Sequence, residues 1–137
     1  MGFETRHNAI RKKFRDDIET PESPLVVLYD NAPTQKPENK KWVRFTILPG
    51  ESFQVSIGTN NKRFRHPGVA MVQIFTLVES GDQTALDLAD KIQKKFRSQT
   101  TDGVTYRTPS IVVVGRNEGW YQVNINCPFF QDDFETP

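Results

Sequence analysis

Lys62, Arg63, Phe64, Arg65 and His66 stand side by side in the cationic segment Gly58-Thr59-Asn60-Asn61-Lys62-Arg63-Phe64-Arg65-His66-Pro67-Gly68. Arginine and aromatic side chains are the types enriched at the energetic centres of protein interfaces, so the chemistry on offer is recognition of a partner. A second group closes the chain: Phe129, Phe130 and Phe134 interleaved with Asp132, Asp133 and Glu135, too apolar to be left simply in solvent. It is expected to dock, either on its own chain or on a neighbouring copy. Bond-making chemistry has little to work with. Of two histidines, His7 falls on an apolar helix stripe and His66 has no evident base or orienting group beside it, while the one cysteine, Cys127, ends a strand. One Cys and two His do not make a zinc site, and neither a Walker A nor a Gly-x-Gly-x-x-Gly stretch occurs. The expectation is no enzyme, no cofactor and no metal.

Charge supports an interaction role. Net charge is only +1, against a dedicated nucleic-acid binder, but it is unevenly placed. Between Lys36 and Arg65 seven basic side chains face only Glu38 and Glu51, whereas from Asn117 to Pro137 there are four acids and no base. Such a chain can pair head to tail with copies of itself, the contact that closes into a ring when the rotation allows. With 137 residues it fits one domain, residues 1–137, and its longest apolar runs are far too short to span a membrane. A charged N-terminus and a single cysteine point to synthesis in a reducing cytoplasm.

The elements that must position these groups read as helix, strands, helix, strands. Phe3, His7, Ile10, Phe14 and Ile18 recur at helical spacing, and Pro21 and Pro24 end that helix. Leu25 to Tyr29 reads as a short strand, and residues 30–41 as an exposed loop. Val43, Phe45 and Ile47, then Phe53, Val55 and Ile57, alternate about Leu48-Pro49-Gly50-Glu51 and predict a hairpin. Pro67-Gly68 closes a loop over 58–68, and Val69 to Val78, apolar on both alternating sets, is the expected sheet centre, covered on both faces. Ser80-Gly81-Asp82-Gln83 matches a capping box before a helix with the stripe Ala85, Leu88, Ala89, Ile92 and Phe96. Strands follow at Val104 to Arg107, Ile111 to Val114 and Trp120 to Cys127, the last two joined through Gly115 to Gly119. Cys127 faces inward, and Pro128 stops the strand before an extended tail, 128–137. The fold class is therefore α+β: one mixed or antiparallel sheet with two main helices packed on it.

The order of elements, the charge asymmetry and the Arg63-Phe64-Arg65-His66-Pro67-Gly68 stretch running into a strand resemble the tail-terminator proteins of long-tailed bacteriophages, including a family once described only as a domain of unknown function. The resemblance covers nearly the whole chain in order and length. It implies a lambda-tail-terminator-like α+β fold and a hexameric ring in the virion, at the head–tail junction. That ring would cap the tail tube, stop its polymerisation and offer the docking surface for the head-completion (stopper) protein, with DNA passing through the lumen. On this reading Lys62, Arg63, Phe64, Arg65, His66, Phe129, Phe130, Asp132, Asp133 and Phe134 form the subunit or partner interface. Two alternatives remain: a nucleic-acid-binding module using Lys62, Arg63, Arg65 and Trp42, and another head–tail connector or tail-tube subunit.

Overall fold

A computed structural model describes residues 1–18, 25–30, 37, 40–56, 62–80 and 82–135. The elements are α1 (Phe3–Asp17), β1 (Val26–Tyr29), β2 (Trp42–Pro49), β3 (Phe53–Gln54), β4 (Lys62–Leu77), a 3-10 turn (Val78–Ser80), α2 (Gln83–Phe96), β5 (Thr100–Thr101), β6 (Val104–Tyr106), β7 (Ser110–Asn117) and β8 (Trp120–Glu135). The class is α+β, and strands dominate. The eight strands make one mixed sheet, ordered β1-β2-β4-β8-β6-β5, with β3 also on β4 and β7 also on β8. The helix, strands, helix, strands order fits loosely, with the 3-10 turn interposed. Most of the expected loop at 30–41, the segment 57–61, Pro21, Pro24, Gly81 and the last two residues lie outside the described residues.

The sheet is organised by two sixteen-residue strands, β4 and β8, antiparallel from Lys62↔Glu135 to Leu77↔Trp120. At about 3.3 Å per residue this ribbon is roughly 50 Å long. It corrects three expectations. Lys62 to Gly68 are strand, not loop; Pro128 does not stop β8; and residues 128–135 are the end of a central strand, not an extended tail. Neither Pro67 nor Pro128 interrupts its strand, for one shared reason. In a strand, a residue's N–H and C=O point to the same neighbour, and the Pro67 carbonyl accepts from the Gly50 N–H (2.9 Å), in the gap where β2 ends and β3 begins. The Pro128 carbonyl likewise accepts from the Arg107 N–H (2.8 Å), where pairing with β7 gives way to pairing with β6. Each missing donor therefore falls at a change of partner strand, where no ladder bond is lost.

The expected hairpin about Pro49-Gly50 is not formed either. Both β2 and β3 pair antiparallel with β4, so they run in the same direction, end to end along it, and Pro49-Gly50 only offsets them. Strand β1 joins β2 in parallel. The two tight turns follow their local chemistry: Asp102-Gly103 between β5 and β6, and Glu118-Gly119 between β7 and β8, have positive φ at both positions, as the two-residue hairpin that matches strand twist requires.

Both helices cover one face of the sheet, where Ile10, Phe14, Ala85, Ala89, Ile92 and Phe96 pack on Val43, Phe45, Val72, Ile74, Val123, Ile125 and Cys127. Strand β4 is central, as expected, but only one of its apolar sets is fully enclosed: Ala70, Val72 and Ile74 are buried, whereas Val69, Met71 and Leu77 on the other face are half-exposed. Burial pushes the Cys127 thiol up to about 12, so it is a neutral core side chain. Ile10, Phe14 and Ile18 of the expected α1 stripe are buried, but its N-terminal end is not. Arg6, Ile10, Lys13 and Phe14 are buried and Phe3 is exposed, because long cationic stems lie along the core surface. Lys13 reaches Asp17 (2.7 Å) and lies 5.1 Å and 5.5 Å from the Phe96 and Tyr106 ring centres. Helix α2 starts after Asp82, whose own side chain makes no cap, and Gln83 donates to Asp87 (3.0 Å); the Ser80 side chain and Gly81, on which the expected capping box rests, lie outside the described residues.

The Tyr106 hydroxyl, on a side chain 1 % exposed, has no hydrogen-bond partner among the described residues. A buried hydroxyl without a partner costs about 1–3 kcal/mol. Tyr106→Phe, which keeps the ring against Phe96 and Lys13, is expected to raise stability by about 1 kcal/mol in urea unfolding; a loss would show that the hydroxyl is satisfied in solution.

Candidate functional site on the strand ribbon

The far end of the ribbon brings together the two groups that the sequence separates by nearly seventy residues. Pairing sets Lys62 opposite Glu135, Arg63 opposite Phe134, Phe64 opposite Asp133, Arg65 opposite Asp132 and His66 opposite Gln131. Alternation then sorts them by face. Arg63, Arg65, Phe130, Asp132 and Phe134 share the face away from the helices, while His66, Phe129, Gln131 and Asp133 share the helix side.

On the outer face Asp132 is the hub. Arg65 Nε donates to Asp132 Oδ1 (2.9 Å) and Arg65 Nη2 to Oδ2 (3.1 Å), and Arg63 donates to the same carboxylate through Nε (2.9 Å) and Nη2. The fork from Arg65, reinforced by Arg63, holds the Asp132 carboxyl below the usual carboxylate range, and Asp132 in turn raises the Arg65 guanidinium. Phe130 lies between two guanidinium groups, Arg65 at 4.2 Å and Arg107 at 5.1 Å from its ring centre, and Arg63 stands 5.9 Å from the ring of Phe134. Phe134 is 69 % exposed, Phe53 on the adjoining β3 50 %, and Leu48 near the end of β2 48 %. Three arginines against one aspartate leave this face cationic, with exposed rings at its rim.

The helix side carries a different network. Ser52 Oγ lies 2.8 Å from His66 Nδ1, and His66 Nε2 lies 3.0 Å from Asp133 Oδ2. The Met1 ammonium donates to Asp133 Oδ1 (2.8 Å), Gln131 Nε2 donates to the same oxygen (2.6 Å), and Arg6 Nη1 donates to Gln131 Oε1 (2.9 Å). Burial alone would push the Asp133 carboxyl up, but the ammonium and Gln131 hold it below the usual range. Serine, histidine and aspartate are thus in triad-like sequence, company for His66 that the sequence reading missed. Asp133, however, is shared among His66, the Met1 ammonium and Gln131, and four clefts of the molecule are lined by other side chains. The arrangement ties the start of α1 and the turn at Ser52 to the end of β8.

The sequence-predicted residues are therefore brought together, with two amendments. Phe129 is 3 % exposed and belongs to the core under Gly68, so its docking is on its own chain. Within one chain Asp132 pairs with Arg63 and Arg65, and Asp133 with the Met1 ammonium and His66. Ser52, Phe53, Arg107 and Gln131 were not anticipated, since nothing local marks them; Phe53 and Gln131 join through strand pairing, Ser52 through its bond to His66 and Arg107 through its N–H to the Pro128 carbonyl.

A family model described as phage tail terminator protein matches residues 7–129. A solved structure superposes on 100 % of this chain and 99 % of its own with a TM-score of 0.72 at 17 % identity, which shows a shared fold. No match is found among curated proteins.

Proposed function

The chain belongs to the phage tail terminator family, structural proteins of the virion tail, and on that premise we propose that its copies close into a ring, six in number, on the end of the tail tube at the head–tail junction. The ring ends tube polymerisation and presents the surface on which the head-completion protein docks, and DNA passes through its lumen; assembly takes place in the host cytoplasm. The observation that supports this reading is the ribbon end: a stiff, paired arm whose outer face offers Arg63, Arg65, Arg107 and the exposed rings of Phe53 and Phe134 to a partner. Lys62 and Phe64 lie at the same end, so the proposed interface is the arm as a unit. A role of this kind needs positioned contacts and no bond-making group.

The nucleic-acid reading loses its residue set. Trp42 is 2 % exposed and pairs with Phe75, ten residues along β4 from Arg65, about 33 Å away, so the ring and the arginines form no common stacking surface. Replacing Arg63 and Arg65 together by Ala is expected to abolish tube capping, read as overlong tails in electron micrographs of assembled particles. Tails of normal length would defeat the assignment of the arm.

A further inference from the structure

Strand β7 is the most exposed apolar element among the described residues. Val112, Val113 and Val114 are 47 %, 54 % and 47 % exposed, and β7 pairs with β8 alone. An edge strand bare on both faces leaves a row of backbone donors and acceptors that only another strand can meet in ladder form. At the other side of the same half of the sheet, β1 pairs with β2 alone among the described residues, and its sequence, Val26-Val27-Leu28-Tyr29, is equally apolar. Resting on the ring reading above, we infer that β7 of one copy adds to β1 of the next, and that this edge-to-edge contact joins the subunits.

Strand sense allows it. β1 runs with β2, and each of the steps β2 to β4, β4 to β8 and β8 to β7 reverses direction, so β7 is antiparallel to β1. A rotation that carries one sheet to the next keeps that sense, and the new pair forms an antiparallel ladder. Charge agrees. In this pairing the start of β1 meets the end of β7. Lys40 and Lys41, exposed just before Trp42, the partner of Val26, then come to the exposed Glu118 in the turn after Asn117. A closed ring of such contacts leaves no free edge.

The test is native mass spectrometry across concentrations, with tail length as a second readout. Val113→Lys, at an exposed position where the fold does not depend on valine, is expected to weaken association at least about tenfold, while the β-branched, neutral Val113→Thr retains it. Glu118→Lys alone, and Lys40→Glu with Lys41→Glu alone, are each expected to weaken it about two- to fivefold, and the three changes together to restore it. Wild-type-like rings from Val113→Lys would overturn the inference and leave the ring reading standing, as would rings that form yet fail to cap, which would give β7 to the tube protein. A wild-type chain that stays monomeric in the presence of tubes would sink the ring reading itself.

Discussion

Asp132→Ala is expected to give a folded chain that no longer ends tube growth. One carboxylate holds two guanidinium groups that alternate on the same face of β4, and removing it leaves Arg63 and Arg65 as like charges about 7 Å apart with Arg107 nearby. The core lies on the opposite face and nearer the ribbon's middle, so the melting temperature should move little. The loss should appear locally, as faster amide exchange at residues 62–65 and 132–135, and functionally, as overlong tails. Asp132→Asn keeps an acceptor without the charge and should fall between. The pH dependence has a definite sign. Because Asp132 titrates lower folded than its unfolded value of about 3.9, the clamp contributes fully above that value and is lost only as pH falls through the lower folded one. Arm amides should therefore stay protected at pH 5 and lose protection only in stronger acid. Since Arg63 is 41 % exposed, high salt should weaken the clamp. Normal tails from Asp132→Ala would separate the clamp from function.

What was legible in the sequence was whatever local chemistry decides. The stripe of α2, the centrality of β4 and the inward Cys127 follow from periodicity that a few residues carry, whereas the connection read as Gly115 to Gly119 narrows to Glu118-Gly119 because β7 runs on to Asn117. What was not legible depended on which strand lies alongside. Pro67 and Pro128 read as breakers because a proline costs a ladder bond, and only the pairing shows that each occupies a gap between partner strands. Of the α1 stripe, Ile10, Phe14 and Ile18 were legible, but not the burial of Arg6 and Lys13, whose stems find partners in Gln131 and Asp17, neither a property of residue type. At the candidate site, the residue types were enough to name both halves, Lys62 to His66 and Phe129 to Phe134. They could not show that the halves are cross-strand neighbours, that Asp132 serves two arginines, or that Phe129 turns inward while Phe130, one position on, turns out. That last division is the period of two acting on a register fixed elsewhere.

The same register predicts a coupled pair at the arm's root. Gly68 stands opposite Phe129 on one side and Pro49 on the other, and a Cβ on Gly68 would lie 2.5 Å from Phe129 Cζ and 2.9 Å from the Leu48 carbonyl oxygen. The glycine is there for this close approach, letting an aromatic ring lie across the backbone of the neighbouring strand. Gly68→Ala is expected to cost about 1–3 kcal/mol, as overpacking does. Phe129→Ala, which empties a core site beneath the outward-facing Phe130 and Arg107, should cost about 3–5 kcal/mol. If the ring is the chief obstacle to a Cβ, the double variant should be more stable than the sum of the single costs implies, by about 1 kcal/mol or more in urea unfolding, because the clash vanishes with the ring. Strictly additive losses would show that the Leu48 carbonyl, a backbone atom that cannot swing aside, is what requires glycine. Either way, loosening this root should enlarge the motion of residues 130–135, so Gly68→Ala should weaken tube capping more than its cost in global stability accounts for.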